Sequence, residues 1–371
     1  IDKQRADGSW EYAGDFDETI RQGDEIVNGT MLELTGGVLK YARITGDQRA
    51  LESGMKAIEY LDRFIVPRGM NTWEVPKYAP DIQAAGNSVW CYLEAYEITG
   101  DQKYIEKAKY WAKTGVPFVY FWEAPDRPVM QYGTIAVYGS GWRAHSWFGR
   151  PVQWCGMTLG YWTLKLAEYD QSFPWRAIGE GIMDSAIEQM LMVKDRGQKW
   201  GEAMDETAIR IESEKSLAGM YADWLSIVGD ARFGENEPEG PAWEPELYMK
   251  SIFLAGGQGV EVDTKVLLAD DRRVHVSTGG VLKSAELTKT ARGVSFELEY
   301  PAGETSYAVV AGLEPDVKVK KNGRVLARTD DLKAADEGWK VSTDGLLLLK
   351  IKHDKLAVRI DVAQTLIKRK S

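Results

Sequence analysis

Cysteine and histidine are scarce in this 371-residue chain, with two of the first and three of the second. No Cys/His spacing suits zinc, and no disulfide framework can be built. Cys91 and Cys155 both fall in predicted helices, where two buried free thiols are the ordinary reading. Two cysteines fix no cellular compartment. Long apolar runs are missing too, and nothing approaches the roughly 20 residues needed to span a bilayer. A Gly-rich phosphate loop and a serine elbow are absent, which removes nucleotide and acyl-transfer readings. Positive charge is in deficit: 46 Lys+Arg against 56 Asp+Glu give a net charge of −10. Such a balance argues against non-specific binding to nucleic acid or to an anionic membrane. No signal peptide is visible. The chain starts at Ile1, which we read as the start of a processed or excised piece; either its own helices leave a ring incomplete or an N-terminal region of the same protein adds further hairpins.

Aromatic residues are plentiful, with 14 Trp and 17 Tyr. Flat rings in such excess over core needs are what a carbohydrate-binding cleft displays. The composition, 44% hydrophobic and 27% charged, is ordinary for a globular protein, and the length suits two domains.

Apolar periodicity changes near residue 250. Before it, helical stripes run through Leu51, Met55, Ile58 and Leu61, through Ile82, Ala85, Val89, Leu93 and Tyr96, and through Ile105, Ala108, Trp111 and Ala112. The segment Ile44-Thr45-Gly46-Asp47-Gln48 recurs as Ile98-Thr99-Gly100-Asp101-Gln102. In each copy Gly ends one helix and Asp caps the next, so the unit is a helical hairpin. A degenerate third copy runs from Leu166 through Asp170 to Phe173-Pro174-Trp175. Short turns at 45–47, 99–101 and 170–173 alternate with long connections at 65–80, 123–150 and 192–205. Stacked hairpins gather all short turns at one end and all long connections at the other. The long connections carry Trp73, Tyr132, Tyr138, Trp142, Trp147 and Trp200, and the opening segment adds Trp10 and Tyr12. About seven helices are expected before residue 250, fewer than a closed ring of six hairpins needs.

After residue 250 the pattern alternates. Val294, Phe296, Leu298 and Tyr300 read as a strand, and so do Leu356, Val358, Ile360 and Val362. Asn322-Gly323 between Val319 and Val325 is a hairpin signal. An antiparallel sandwich of roughly seven to nine strands is expected. The fold class is therefore α + β multidomain: an α/α toroid at 1–250, incomplete as counted, then a β-sandwich at 251–371.

Helical hairpins with aromatic long loops followed by a sandwich resemble the α/α-toroid carbohydrate enzymes. These include polysaccharide lyases of the alginate, heparin and chondroitin type and many glycoside hydrolases. The resemblance is architectural and spans most of the chain. No motif selects one family, so no catalytic residue is carried over. It implies a polysaccharide or oligosaccharide substrate, and that substrate class implies an extracellular or periplasmic location. The order, toroid before β-domain, is similar to several lyase families.

The most unusual stretch, Arg127 to Ala167, contains no Asp or Glu. It holds Arg127, Arg143, His145 and Arg150 among Tyr132, Tyr138, Trp142, Trp147, Gln153 and Trp154. Arg can hold a uronate carboxylate through two parallel hydrogen bonds while rings stack on sugar faces. β-Elimination needs a base for the uronate C5 proton, an acid for the leaving O4, and donors to stabilise the intermediate. His145, the histidine of the helical part, is assigned as base, with Tyr138 or Tyr132 as acid/base partner. Arg143 with Gln153 or Asn87 takes the carboxylate. The blander reading is an ordinary loop histidine beside a buried helix.

Hydrolysis would instead need two carboxylates. Acids beside tryptophan recur as Trp10-Glu11, Trp73-Glu74 and Trp200-Gly201-Glu202. Glu74 is the first choice because a Trp-Glu pair in a long loop has no capping duty. Its partner would be Asp81, Glu11 or Glu202, although Asp81 after Pro80 reads first as a helix N-cap. A third reading is a non-catalytic carbohydrate-binding protein. No cofactor is expected. A structural Ca²⁺ at Asp270-Asp271 or Asp330-Asp331 is a weaker reading than solvated turn acids.

Overall fold

The computed structural model describes residues 1–10, 26–70, 77–122, 131–137, 153–188, 262–269, 272–289 and 292–364; of Trp154 it describes the backbone alone. Among the described residues before 189 there are six α-helices: α1 (Gly29–Thr45), α2 (Gln48–Leu61), α3 (Ile82–Thr99), α4 (Lys103–Gly115), α5 (Gln153–Leu166) and α6 (Trp175–Glu188). The expectation of a further helix before residue 250 lies outside the described residues.

The repeated turns form as their chemistry dictates. Gly46 (φ 71°) and Gly100 (φ 70°) adopt the left-handed conformation that glycine tolerates, and their amides close back on Ala42 O and Tyr96 O. Asp47 Oδ1 then accepts from Ala50 N at 2.8 Å, and Asp101 Oδ1 from Lys103 N at 3.0 Å. At the third turn Asp170 accepts from Ser172 N (3.2 Å) and from the Trp175 indole (2.7 Å). Three hairpins result, α1–α2, α3–α4 and α5–α6.

α1, α3 and α5 pack side by side in a row, and each is backed by its hairpin partner. Small residues bring the row together. A Cβ at Gly86 of α3 would lie 2.8 Å from Leu159 N of α5, so these two backbones touch. Gly36 of α1 makes room for the Trp90 ring, which stacks on Trp162 of α5 at 5.5 Å and 10°. Thirteen of the 18 residues of α3 are buried, as suits the middle helix of the row. Trp10, expected among the cleft aromatics, is instead only 5% exposed and belongs to the helical core. Its segment is tied to α2 through Gln4, whose amide pairs with Ser53. An aromatic count does not separate buried rings from displayed ones.

From residue 263 all described regular structure is β, in two five-stranded antiparallel sheets. One has the order β1 (Asp263–Ala269), β2 (Arg272–Thr278), β5 (Thr305–Ala311), β9 (Leu347–Lys352), β8 (Gly338–Val341). The other runs β3 (Val281–Leu287), β4 (Gly293–Glu299), β10 (Ala357–Gln364), β6 (Val317–Lys321), β7 (Arg324–Val325). Ten strands exceed the seven to nine expected, and the hairpin read at Asn322-Gly323 forms with a return strand, β7, of only two residues. Asn322 (φ 49°) and Gly323 (φ 81°) supply the paired positive φ of that turn. Val274, Val276, Val310 and Leu349 of the first sheet share one apolar core with Phe296, Leu298, Ile360 and Val319 of the second.

β2 joins strands to helices. Its even residues Val274 and Val276 enter the strand core, while its odd residues turn to the short-turn end of the hairpins. There His275 Nδ1 meets Arg43 O at 2.7 Å, Ser277 Oγ donates to Ile44 O at 3.1 Å, and Arg273 Nε donates to Ile98 O at 3.2 Å. These carbonyls belong to the last turns of α1 and α3, where no intrahelical amide reaches them. Strand side chains cap two helices, and Arg273 puts a cation at the negative end of α3.

This junction is acid-sensitive. Burial, reinforced by the Arg273 and Arg43 charges, holds the His275 pKa below the ordinary value of 6.5, against the pull of its hydrogen bond to Arg43 O. A neutral ring donating from Nδ1 suits the fold, whereas the unfolded chain takes a proton near that ordinary value. The stability it gives is present above that range and is lost as pH falls through the folded value. The parent melting temperature should therefore drop more between pH 7.5 and 5.5 than that of His275→Gln. Equal drops would contradict this.

Candidate active site

β2 covers the short turns that end α1 and α3, while a cavity of about 320 Å³ lined by Asp170, Phe173 and Trp175 lies at the third; at the opposite end the N-termini of α1, α3 and α5 meet the long connections. Its walls are built from main chain. Gly29 N donates to Arg68 O (2.9 Å), Asp81 N to Pro67 O (3.0 Å) and Ile82 N to Ala136 O (3.0 Å). Residues 118–120 and 132–135 form a short ladder: Tyr120 N to Gly133 O at 2.9 Å, Ile135 N to Phe118 O at 2.9 Å. Asp81 bridges to Val137 on the same side. The described parts of these connections, 66–70, 77–81, 116–120 and 132–137, thus meet above the row.

Asp81 is fully buried and caps α3. Its Oδ1 accepts from Ala84 N at 2.7 Å and its Oδ2 from Met70 N at 3.0 Å. Both oxygens hold backbone, which fulfils the capping expectation and removes Asp81 as a hydrolytic partner for Glu74.

Gln153 opens α5 and is 1% exposed. Its Oε1 accepts from Thr134 N at 2.9 Å, and its Nε2 donates to Tyr132 O (3.1 Å) and Ile182 O (2.8 Å). The amide expected on a sugar carboxylate instead clamps the 132–134 strand to α5 and α6. Buried amides pair with whatever main chain surrounds them, and sequence does not name that partner.

Tyr132 lies on this clamped strand with φ 60°, an uncommon value for a non-glycine residue. Its ring covers Gly181 of α6, where an added Cβ would come within 2.4 Å of it, and meets Phe121 edge-on at 5.9 Å. Asn87 sits one turn into α3, half-buried, its Nδ2 donating to Gln83 O at 3.1 Å. Tyr132 and Asn87 are therefore both near the long-connection end, although no contact joins them. Cys91 and Cys155 are buried free thiols, and burial pushes the Cys91 pKa far up. Cys91 is inert packing. His275 is buried in β2 and His353 just past β9, the latter with Nε2 2.9 Å from Ser306 Oγ.

His145, Tyr138, Arg143, Glu74, Trp73, Trp142, Trp147, Trp200 and Glu202 lie outside the described residues, as do Glu11 and the Asp270-Asp271 pair; so does the Trp154 side chain. Among the described residues no group of three or more His, Cys, Asp or Glu is placed to hold a metal ion, and no helix is long and apolar enough to cross a membrane. The sequence reading missed Tyr120, Phe121 and Trp122. Their signal was three consecutive aromatics just past the end of α4. Phe121 is 43% exposed and Trp122 57%.

No protein-family profile matches this chain, and no curated protein does. Among solved structures it is similar to the unsaturated glucuronyl hydrolase of Bacillus sp. GL1 (14% identity, TM-score 0.36, covering 52% of this chain and 54% of that one). It is also similar to a GH76 α-mannanase of Bacteroides thetaiotaomicron (15%, 0.34, 62% and 58%). A third is a GH127 β-L-arabinofuranosidase of Geobacillus stearothermophilus T6 (11%, 0.30, 97% and 66%). The chain spans little more than half the length of the first two. Likeness at this level assigns neither a family nor a reaction.

Proposed function

We propose that this chain is a carbohydrate-active enzyme that cuts an acidic polysaccharide at the long-connection end of a helical toroid (1–250), backed by a β-sandwich (251–371). One observation carries the reading. Val137 and Gln153, the described residues flanking 138–152, both sit at the end that β2 leaves uncovered, and between them run Arg143, His145 and Arg150 without a single acid. A cationic, aromatic connection at the open end of an acidic protein suits an anionic sugar chain. An extracellular or periplasmic setting follows from such a substrate.

The chemistry we assign is β-elimination. Arg143 and Asn87 hold the uronate carboxylate, which acidifies the C5 proton. His145 removes that proton, the C4–O4 bond breaks as C4=C5 forms, and Tyr138 or Tyr132 returns a proton to O4. Gln153 acts through Tyr132, whose carbonyl it holds. Hydrolysis is the second reading, favoured by Glu74: its connection is anchored at Met70 and Lys77 to the same end, and its hydrolytic partner would be Glu11 or Glu202. The substrate is given as alginate, polygalacturonate, chondroitin and neutral glycans in parallel, and products are read for near-ultraviolet absorbance and new reducing ends. Elimination gives both signals. Reducing ends alone overturn elimination in favour of hydrolysis, and retention on the glycan without either signal leaves a binding protein.

A further inference from the structure

We propose that Trp122, with Phe121 beside it, is a sugar-stacking platform at the mouth of the site, taking the flat face of one ring of the glycan; this deepens the reading above and rests on it. The two side chains stand at the end of the ladder formed by 118–120 and 132–135, so a rigid backbone carries them. Each is fixed from one side by a tyrosine: Tyr120 meets Trp122 at 5.1 Å and 79°, and Tyr132 meets Phe121 at 5.9 Å and 79°. Edge-on contacts restrain a ring while leaving area for another partner. Trp122 remains 57% exposed and Phe121 43%, whereas Trp10, Trp111, Trp162, Trp175 and Trp339 are all below 10%. An indole braced on one side and 57% exposed leaves a flat face for a partner. Their position selects the partner. The ladder that carries them also carries Tyr132, and through Gln153 it is tied to α5 at the open end of the row. A pyranose presents a flat array of C–H groups to such a ring while its hydroxyls stay in water.

The test is affinity electrophoresis of parent, Trp122→Ala, Trp122→Phe and Phe121→Ala through gels containing alginate, polygalacturonate, chondroitin sulfate or xylan. Thermal melts establish folding, and sedimentation reports self-association. The parent should be retarded by at least one glycan. Trp122→Ala should then lose about ten-fold in apparent affinity with an unchanged melt, and Trp122→Phe should recover part of it. Parent-like retardation of Trp122→Ala overturns the platform and leaves the proposed function standing. So does a change in self-association with retardation unaltered. A parent that no gel retards and that cuts none of these glycans overturns both.

Discussion

Replacing His145 with alanine is expected to cost roughly 10²–10⁴ in turnover, the usual worth of a positioned proton-transfer group. It is the one histidine in the helical part of the sequence; His275 is buried in β2, where it caps α1, and His353 is buried just past β9 beside Ser306. Neither is placed to meet a substrate at the far end of the helices. The loss should fall on kcat with KM nearly unchanged, because a base acts in the transition state and adds little to ground-state binding. Added imidazole should restore part of the rate. Full turnover by His145→Ala would remove the base assignment, and a rise in KM alone would make the residue a binding group.

Arg43→Ala should be the most destabilising single change in the helical row, by about 3–5 kcal/mol. Arg43 is 5% exposed and sits between two carboxylates, with Nε 2.6 Å from Glu94 Oε2 and Nη1 3.0 Å from Glu97 Oε2. Trp90 Nε1 donates to Glu94 at 3.1 Å and Tyr169 to Glu97 at 2.6 Å, so the cluster links α1, α3 and the end of α5. Burial already raises the Glu94 pKa despite the neighbouring guanidinium. Without Arg43 it must rise further, since only the Trp90 indole would remain on that carboxylate. A raised carboxyl takes up a proton in the fold, so its contribution is full below the unfolded value and is lost as pH rises through the folded one. The deficit of Arg43→Ala should accordingly be largest near neutral pH and shrink on acidification. Melts at pH 7.5 and 5 read both effects, and an equal deficit at the two values would contradict the buried-charge explanation.

The parts legible in sequence were those whose chemistry is local. Gly46 with Asp47, Gly100 with Asp101, and Asn322-Gly323 each specify a turn within four residues, and all three formed as read. Asp81 as a cap belongs with them. What stayed hidden depends on partners distant in sequence. The alternation of Val274 and Val276 with His275 and Ser277 marks two faces of a strand, yet nothing in it says that the polar face caps a helix more than 200 residues earlier. Gln153 looked like a ligand-binding amide because its backbone partners, Tyr132, Thr134 and Ile182, are brought to it only by the fold. Trp10 and Trp122 are the same residue type with opposite fates, 5% and 57% exposed, decided by which element each rests on.

Amide hydrogen exchange, with and without an acidic oligosaccharide drawn from the glycan that retards the parent, bears most directly on where substrate sits. Slower exchange at 131–137 and in the first turns of α3 and α5, with β2 and the turns at 46–47 and 100–102 unchanged, is the expected result. Protection confined to the strands or the short turns, with 131–137 untouched, would contradict the account.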